Sequence, residues 1–356
     1  MAKYILVRTL WVFIILFVIL SLTFVLLNLA PQYPPADEDQ REIWYAQQVR
    51  DGFMSRRVVT DADEMEAIRS EEADLHDNAF VVDDDDRLEV FEPVPVGESY
   101  RNWLTNVLTE FNWGTSTRVR VNVDAFSILA NRIPVTAQLN LIALAFYIPA
   151  GFGIGILAAL KKNSLVDNLI QIFIMVFLSL PLFVVMTFLL FIFGYQLGWL
   201  DTAFPAATVR GTTRYLAFIL PVLGLSLNTV AGLTRLTRAE LTEVLTSDFL
   251  LLARTKGLTR PQSVVRHAMR NSMVPLVPFI IFSFVGLLSG SVVIEQIYGI
   301  PGTGRVLLDA MTPNNYDHNL VLVTLAFYTV IGLFAILIVD LTYGLVDPRI
   351  RMGAKK

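Results

Sequence analysis

Residues 135–160 read VTAQLNLIALAFYIPAGFGIGILAAL, an unbroken run without a single charge. About 20 apolar residues in a helix span the roughly 30 Å hydrocarbon core of a bilayer, so length and composition make this run a membrane helix. Five further runs pass the same test, at 10–29, 166–193, 215–233, 273–294 and 320–339. Asp167, at the mouth of the third, is the one charge inside the six. The whole chain agrees: of its 356 residues 54% are hydrophobic and the mean hydropathy is +0.56, against about 45–50% apolar in soluble domains. The expected fold class is an all-α polytopic membrane protein of six transmembrane helices.

Lys3 and Arg8 ahead of the first run also suit a cleavable signal peptide. The run is too long for one, and no small-residue cleavage site follows at 28–32, which favours a signal anchor. The net charge of -4 hides two opposite parts: residues 30–135 hold 22 acidic and 10 basic residues, a balance of -12, and the rest carries +8. Basic residues in short loops mark the cytoplasmic side. With the N-terminus inside, Lys3, Arg8, Lys161, Lys162, the seven from Arg235 to Arg270, Arg349, Arg351, Lys355 and Lys356 are cytoplasmic, and only Arg210, Arg214 and Arg305 lie in short outer loops. Both termini are therefore expected in the cytoplasm.

These assignments divide the chain into a cytoplasmic start with the first span (1–30), an extracytoplasmic acidic insert with a surface helix (31–132), a five-helix core (133–345) and a cytoplasmic tail (346–356). In the insert, residues 61–75 suit a charged helix, and 79–82 with 87–91 flank Asp83-Asp84-Asp85-Asp86 as a short hairpin. The four aspartates lack the glycine and ligand spacing of a calcium loop and read as a solvated turn. Trp103, Leu104, Val107, Leu108 and Phe111 share one helical face, which fits either the membrane surface or packing against the insert. Pro149, Pro181, Pro221, Pro275 and Pro278 are expected to bend spans. Ser179, Asn228, Ser289 and Ser291 suit helix-to-helix hydrogen bonds.

The loop 235–272 reads as two helices with a defined break. Gly257 suits the left-handed position that ends a helix. Thr259 caps the next, with Gln262 completing a capping box and Pro261 harmless in the first turn. Phe249, Leu250, Leu251, Leu252 and Ala253 precede the break in a segment too short to span, ringed by Arg254, Lys256, Arg260, Arg266 and Arg270. Such an apolar knot marks a protein interface; the alternatives are packing on the chain's own helices and ordinary positive-inside charge.

Here the chain resembles the permease subunits of ATP-binding-cassette importers, in particular the dipeptide, oligopeptide and nickel permeases. The resemblance rests on Ala253-Arg254-Thr255-Lys256-Gly257-Leu258, then Arg266-His267-Ala268-Met269-Arg270-Asn271 and Pro275. It extends to Trp113-Gly114-Thr115-Ser116, Ile128 to Thr136, Leu233 to Arg238, Ile300-Pro301-Gly302-Thr303-Gly304-Arg305, and Asp340-Leu341 with Asp347-Pro348-Arg349-Ile350-Arg351. Where the general importer signature opens on a glutamate and two alanines, this chain has Leu251, Leu252 and Ala253, and its insert exceeds the family core.

The resemblance implies a type I importer permease fold with a coupling helix. It implies that Leu252, Ala253, Arg254, Lys256, Gly257 and Leu258 meet a cytoplasmic ATPase, supported by Thr259, Gln262, Arg266, His267, Arg270 and Asn271. It further implies a second homologous permease, two ATPases that hold ATP and magnesium, an external solute-binding protein, and di- or oligopeptides as the solute, with nickel or oligosaccharides as the alternative. Glu295, Tyr298, Pro301 and Gly302 are candidates for an outer gate, and Glu295 is also a candidate to recognise a peptide amine, although it reads first as an ordinary charge at a helix end beside the water-rich interface.

The chain has no phosphate-cradling Gly-x-x-x-x-Gly-Lys-Ser/Thr loop, no His-Glu-x-x-His and no Gly-x-Ser-x-Gly. It has no cysteine for a disulfide or thiolate site, and His76, His267 and His318 stand apart. No cofactor of its own is expected. A secondary transporter usually carries mid-membrane ionisable groups, missing here. A nucleic-acid reader is disfavoured because both ends of the loop are tied to spans.

Overall fold

The computed structural model describes all residues except 1, 30–32, 36, 71–74, 76–78, 85–86, 207–208, 210, 289–291, 313–315 and 347–356. Expectations for His76, Asp85, Asp86, Arg210, Ser289, Ser291 and the tail from 347 onward lie outside the described residues. Two compact units emerge. One comprises Met1–Leu16, Arg132–Leu308 and Phe327–Lys356, the other Phe17–Asn131 and Asp309–Ala326.

Ala2–Asn28, Ile133–Leu160 and His318–Val346 are long helices at expected spans, and Thr212–Leu216 continues into Ile219–Leu245. These make four helices long and apolar enough to cross a membrane among the described residues, and a bent pair makes a fifth. Met269–Leu288 stands at the remaining expected span and carries Pro275 and Pro278 inside it.

The bent pair corrects the third span. Instead of one curved helix there are two, Leu165–Ser179 and Leu182–Gln196, meeting at 105°. Pro181 cannot donate to a helical carbonyl, and it forces Leu180 out of the helical region, to φ -79° and ψ 131°. The loop 235–272 is also shorter than read. Ile219–Leu245 runs past Arg235 and Arg238, leaving Asp248–Thr255 as the inserted helix before Arg260–Ser263 and Val264–Ala268 lead into the next long helix.

The core of the first unit forms where Ile133–Leu160 meets Ile219–Leu245, with Leu139, Ala143, Tyr147, Leu225, Val230 and Leu233 all buried. Close approach there depends on small residues: a Cβ on Gly151 would meet Leu233 at 2.8 Å, and one on Gly155 would meet Thr237 at 2.6 Å. This is the small-residue contact that lets membrane helices gain dispersion energy where lipid gives no hydrophobic drive.

The second unit adds what the all-helical expectation lacked, a three-stranded antiparallel sheet. Its strands are β1 (Met54–Val59), β2 (Phe80–Asp84) and β3 (Arg87–Pro93), in the order β1-β3-β2. The β2-β3 pair is the hairpin read from sequence; β1 was not anticipated. Central β3 is covered on both faces. Leu88 and Val90 meet Val59, Met65 and Ile68, and Phe91 meets Trp44, Tyr45 and Met54. The charged helix shrinks to Ala62–Arg69, capped by Asp61, which accepts from the Asp63 and Glu64 N–H groups. Asp83 accepts two hydrogen bonds from Arg69, at 2.9 and 2.6 Å, and that contact holds its carboxyl below the usual range. On helix Val96–Glu110, Trp103 is buried and stacks on Phe24 at 4.8 Å, while Leu108 stays exposed.

Candidate functional site

The loop at Gly257 is built from backbone outward. Helix Asp248–Thr255 closes with the Gly257 N–H on the Arg254 carbonyl at 2.9 Å and the Leu258 N–H on the Ala253 carbonyl at 3.4 Å. That pair is the Schellman ending, and it places Gly257 at φ +93°. Two residues on, the Gln262 side-chain oxygen accepts from the Thr259 N–H at 3.1 Å, the expected half of a capping box. Backbone chemistry thus fixes the angle between the two segments.

One face of the short helix is anchored. Leu250 is 1% exposed among Ala159, Leu241 and Ala268, a burial that contributes about 2 kcal/mol. Ala253 is buried beside it, so it faces the chain's own helices, and the outward apolar residues are Leu251, 62% exposed, and Leu252, 56% exposed. Val265 on the following turn is exposed as well; sequence reading named Leu251 only as part of the apolar knot and missed Val265. Arg254, Lys256, Gly257, Thr259, Gln262, Arg266, His267, Arg270 and Asn271 are exposed around this surface, and Leu258 is half-buried. The arrangement presents a rigid apolar ridge inside a basic ring.

The second cluster is the turn after helix Val292–Tyr298. The reading of Glu295 as a charge reaching an interface is overturned, because it is fully buried and its oxygens are engaged. Thr136 Oγ1 donates to Oε1 at 3.1 Å, and the Arg305 N–H donates to Oε2 at 2.7 Å. The Thr303 N–H donates in turn to Thr136 Oγ1 at 2.9 Å. The carboxylate therefore sits at the start of helix Thr303–Ala310, where free N–H groups and the helix dipole favour negative charge. Burial still dominates and pushes the Glu295 carboxyl up to about 7, with the Arg305 and Gly304 N–H groups and Thr136 pulling the other way.

Gly302 is what admits this carboxylate, since a Cβ there would overlap Glu295 Oε1. The Tyr298 hydroxyl donates to the Met186 carbonyl at 3.2 Å. Ile300 N–H returns to the Glu295 carbonyl at 2.8 Å across left-handed Gly299, and Pro301 follows in the turn. The structure brings the four outer candidates together as a brace, with Glu295 enclosed rather than offered to a solute amine.

Sequence reading missed a third cluster, in the second unit. Asp317 Oδ2 accepts from Ser116 Oγ at 2.6 Å and from the N–H groups of Thr117, Arg118 and Val119 at 3.0, 3.0 and 3.2 Å. Its other oxygen caps the last helix by accepting from the Leu320 N–H at 3.2 Å. Gly114 turns the chain into this nest at φ +80°. The only available signal was the Trp113-Gly114-Thr115-Ser116 motif, which names one side of the contact.

Long apolar helices around a tight small-residue core, with a capped helix-glycine-helix loop between two of them, are the marks of a multi-pass membrane protein. Residues 151–352 match the model of the binding-protein-dependent transport system inner membrane component family, and the chain belongs to that family, the permeases of ATP-binding-cassette importers. It is 35% identical to the oligopeptide transport system permease protein OppB of Haemophilus influenzae over 260 residues, 72% of this chain and 81% of that protein. It is 34% identical to the dipeptide transport system permease protein DppB of Lactococcus lactis, over 72% of this chain and 82% of that protein. With OppB of Salmonella typhimurium it shares 29% identity across 99% of this chain and 100% of that protein. In fold it is similar to the MetNI methionine transporter in its inward-facing form, at a TM-score of 0.50 and 14% identity, covering 62% of this chain and 97% of that one. The chain is thus a permease subunit in the inner membrane with the type I importer fold, not the ATPase of its system. Importers of this family work with ATPase subunits and a binding protein.

Proposed function

We propose that this chain forms the translocation path for dipeptides or oligopeptides, paired with a second, homologous permease. In this reading it has six spans with both termini in the cytoplasm. The Gly257 loop seats in a groove of a cytoplasmic ATPase, and two such subunits hold the ATP and magnesium. An external binding protein delivers the solute. The observation that carries the reading is the loop itself: a helix pinned inward by Leu250 and presenting Leu251 and Leu252 on a Schellman-fixed turn. A short rigid ridge between two spans transmits force; a flexible loop would absorb it.

Peptide as the solute is supported by the names of the relatives, oligopeptide and dipeptide permeases. Two measurements test the reading. Purification through this chain is expected to recover both ATPases and a second permease; an active lone chain defeats it. Uptake assays with a labelled dipeptide, an oligopeptide, nickel and an oligosaccharide are expected to respond to the peptides, and uptake of nickel or sugar alone would reassign the solute. The insert 36–98 contacts the binding protein in this picture, and its deletion with docking unchanged would remove that part.

A further inference from the structure

Because Pro181 has no N–H, the carbonyl four residues earlier, that of Phe177, loses its helical donor. Asn228 replaces it: Nδ2, on helix Ile219–Leu245, donates to the Phe177 carbonyl at 2.9 Å. At the other end of Leu165–Ser179 the same two helices are joined again. Arg238 Nε and Nη2 donate to Asp167 Oδ1 and Oδ2 at 2.7 and 2.8 Å, and the Asn163 N–H adds a bond at 2.9 Å. The Asp167 side chain is 2% exposed. A bidentate guanidinium–carboxylate pair fixes direction as well as distance, so Leu165–Ser179 is held against both sliding and rolling.

The helix that holds it leads directly into the loop: Ile219–Leu245 passes through Thr246 and Ser247 into Asp248–Thr255, whose Leu250 packs back on Leu241. Beyond Pro181 the ties change character. Met186 rests on Gly224 through apolar contact, and its carbonyl is held by the Tyr298 hydroxyl. The 105° break therefore separates a half held to the loop-bearing helix by polar bonds from a half that meets that helix through the apolar Met186–Gly224 contact and is hydrogen-bonded to the Glu295 segment.

We propose that Asp167, Arg238 and Asn228 are positioning residues that make Leu165–Ser179 move as one body with the short helix Asp248–Thr255, Pro181 being the joint where that motion becomes a change of angle within the span. The proposal rests on the reading that the short helix seats on the ATPase. It assigns to the pair a transmission role that neither the loop nor the outer turn has.

The chain contains no cysteine, so introduced thiols are the only labelling sites it offers, and the transporter with this chain unaltered supplies the background. In the assembled transporter, Thr246→Cys with Leu169→Cys reports across the tied pair, and Leu169→Cys with Phe188→Cys reports across the joint. The first distance is expected to be the same without nucleotide and with ATP trapped, and the second to change. In Asp167→Asn, or in Asn228→Leu, which leaves the ion pair intact, the first distance is expected to become nucleotide-dependent. Transport should fall roughly tenfold while ATP hydrolysis continues. A first distance that shifts with nucleotide in the unaltered transporter overturns the proposal while leaving the docking reading standing. A chain that does not retain the ATPases overturns both.

Discussion

Two glycine turns in this protein answer opposite demands. At Gly257 the backbone is left-handed, φ +93°, and nothing lies within 4 Å of where a Cβ would stand. At Gly302 the φ is not positive, yet a Cβ would overlap the Glu295 carboxylate. The first glycine is needed for conformation and the second for room. An exposed loop can be shaped by its own backbone alone, whereas a turn that closes on a buried charge must also leave space for that charge.

The sharpest way to break this contrast is alanine at each position. Gly302→Ala pushes a methyl onto Glu295 Oε1 and within 2.6 Å of Thr136 Oγ1, and is expected to cost about 3 kcal/mol, the upper end of overpacking. Gly257→Ala meets no neighbour and costs about 1 kcal/mol, confined to the turn. Thermal unfolding of the purified protein should separate the two variants; equal melting temperatures would erase the distinction between room and conformation.

Glu295 sharpens the comparison through pH. Its folded carboxyl titrates near 7, above the ordinary 4.5, because burial disfavours the charge. The folded state therefore binds the proton more tightly than the unfolded chain. The stabilisation is fully present below about pH 4.5 and is lost as pH rises through about 7, a loss of roughly 3 kcal/mol. The melting temperature should decline between about pH 5 and pH 8, and Glu295→Gln should flatten that decline. An unchanged slope in the variant would assign the titration to another group.

At Gly257 the informative pair is valine against asparagine. Asparagine enters the left-handed region far more readily than a β-branched residue, which pays about 1–2 kcal/mol there. Gly257→Val is expected to uncouple ATP hydrolysis from transport with the protein still in the membrane, and Gly257→Asn to retain most transport. Equal failure of both would show that the turn needs the absence of a side chain rather than its dihedral angle. The smallest effect belongs to Gln262→Ala, which removes the acceptor for the Thr259 N–H at a cost of about 0.5–1 kcal/mol. It should appear as faster amide exchange at Thr259 before any change in uptake.

The loop was legible in the sequence because its determinants are local: Gly257, Thr259 and Gln262 act within six residues. The apolar runs gave the helices for the same reason. Glu295 was not legible because its partner Thr136 lies 159 residues away, and a carboxylate closing an apolar run reads as a surface group. Pro181 announced a bend, but neither the 105° of the break nor the donor that the orphaned Phe177 carbonyl finds in Asn228, on another helix, can be read from its neighbours in the chain. Strand β1 escaped because Arg56 and Arg57 interrupt its apolar alternation; their charges are met by Glu89 and Glu64. Leu251 and Leu252 were not separable from Leu250 and Ala253 until the packing partners fixed which face turns inward.

The Asp317 nest carries a consequence for how the protein is made. Its two sides, Ser116 and Asp317, are 201 residues apart. At the usual pace of synthesis, about 5–20 residues per second, the backbone groups of Thr117, Arg118 and Val119 wait roughly 10–40 s for the carboxylate that joins them. The segment that emerges early is finished by a residue that arrives 201 positions later, so a ribosome that stops short of Asp317 leaves Thr117, Arg118 and Val119 around an unfilled anion site.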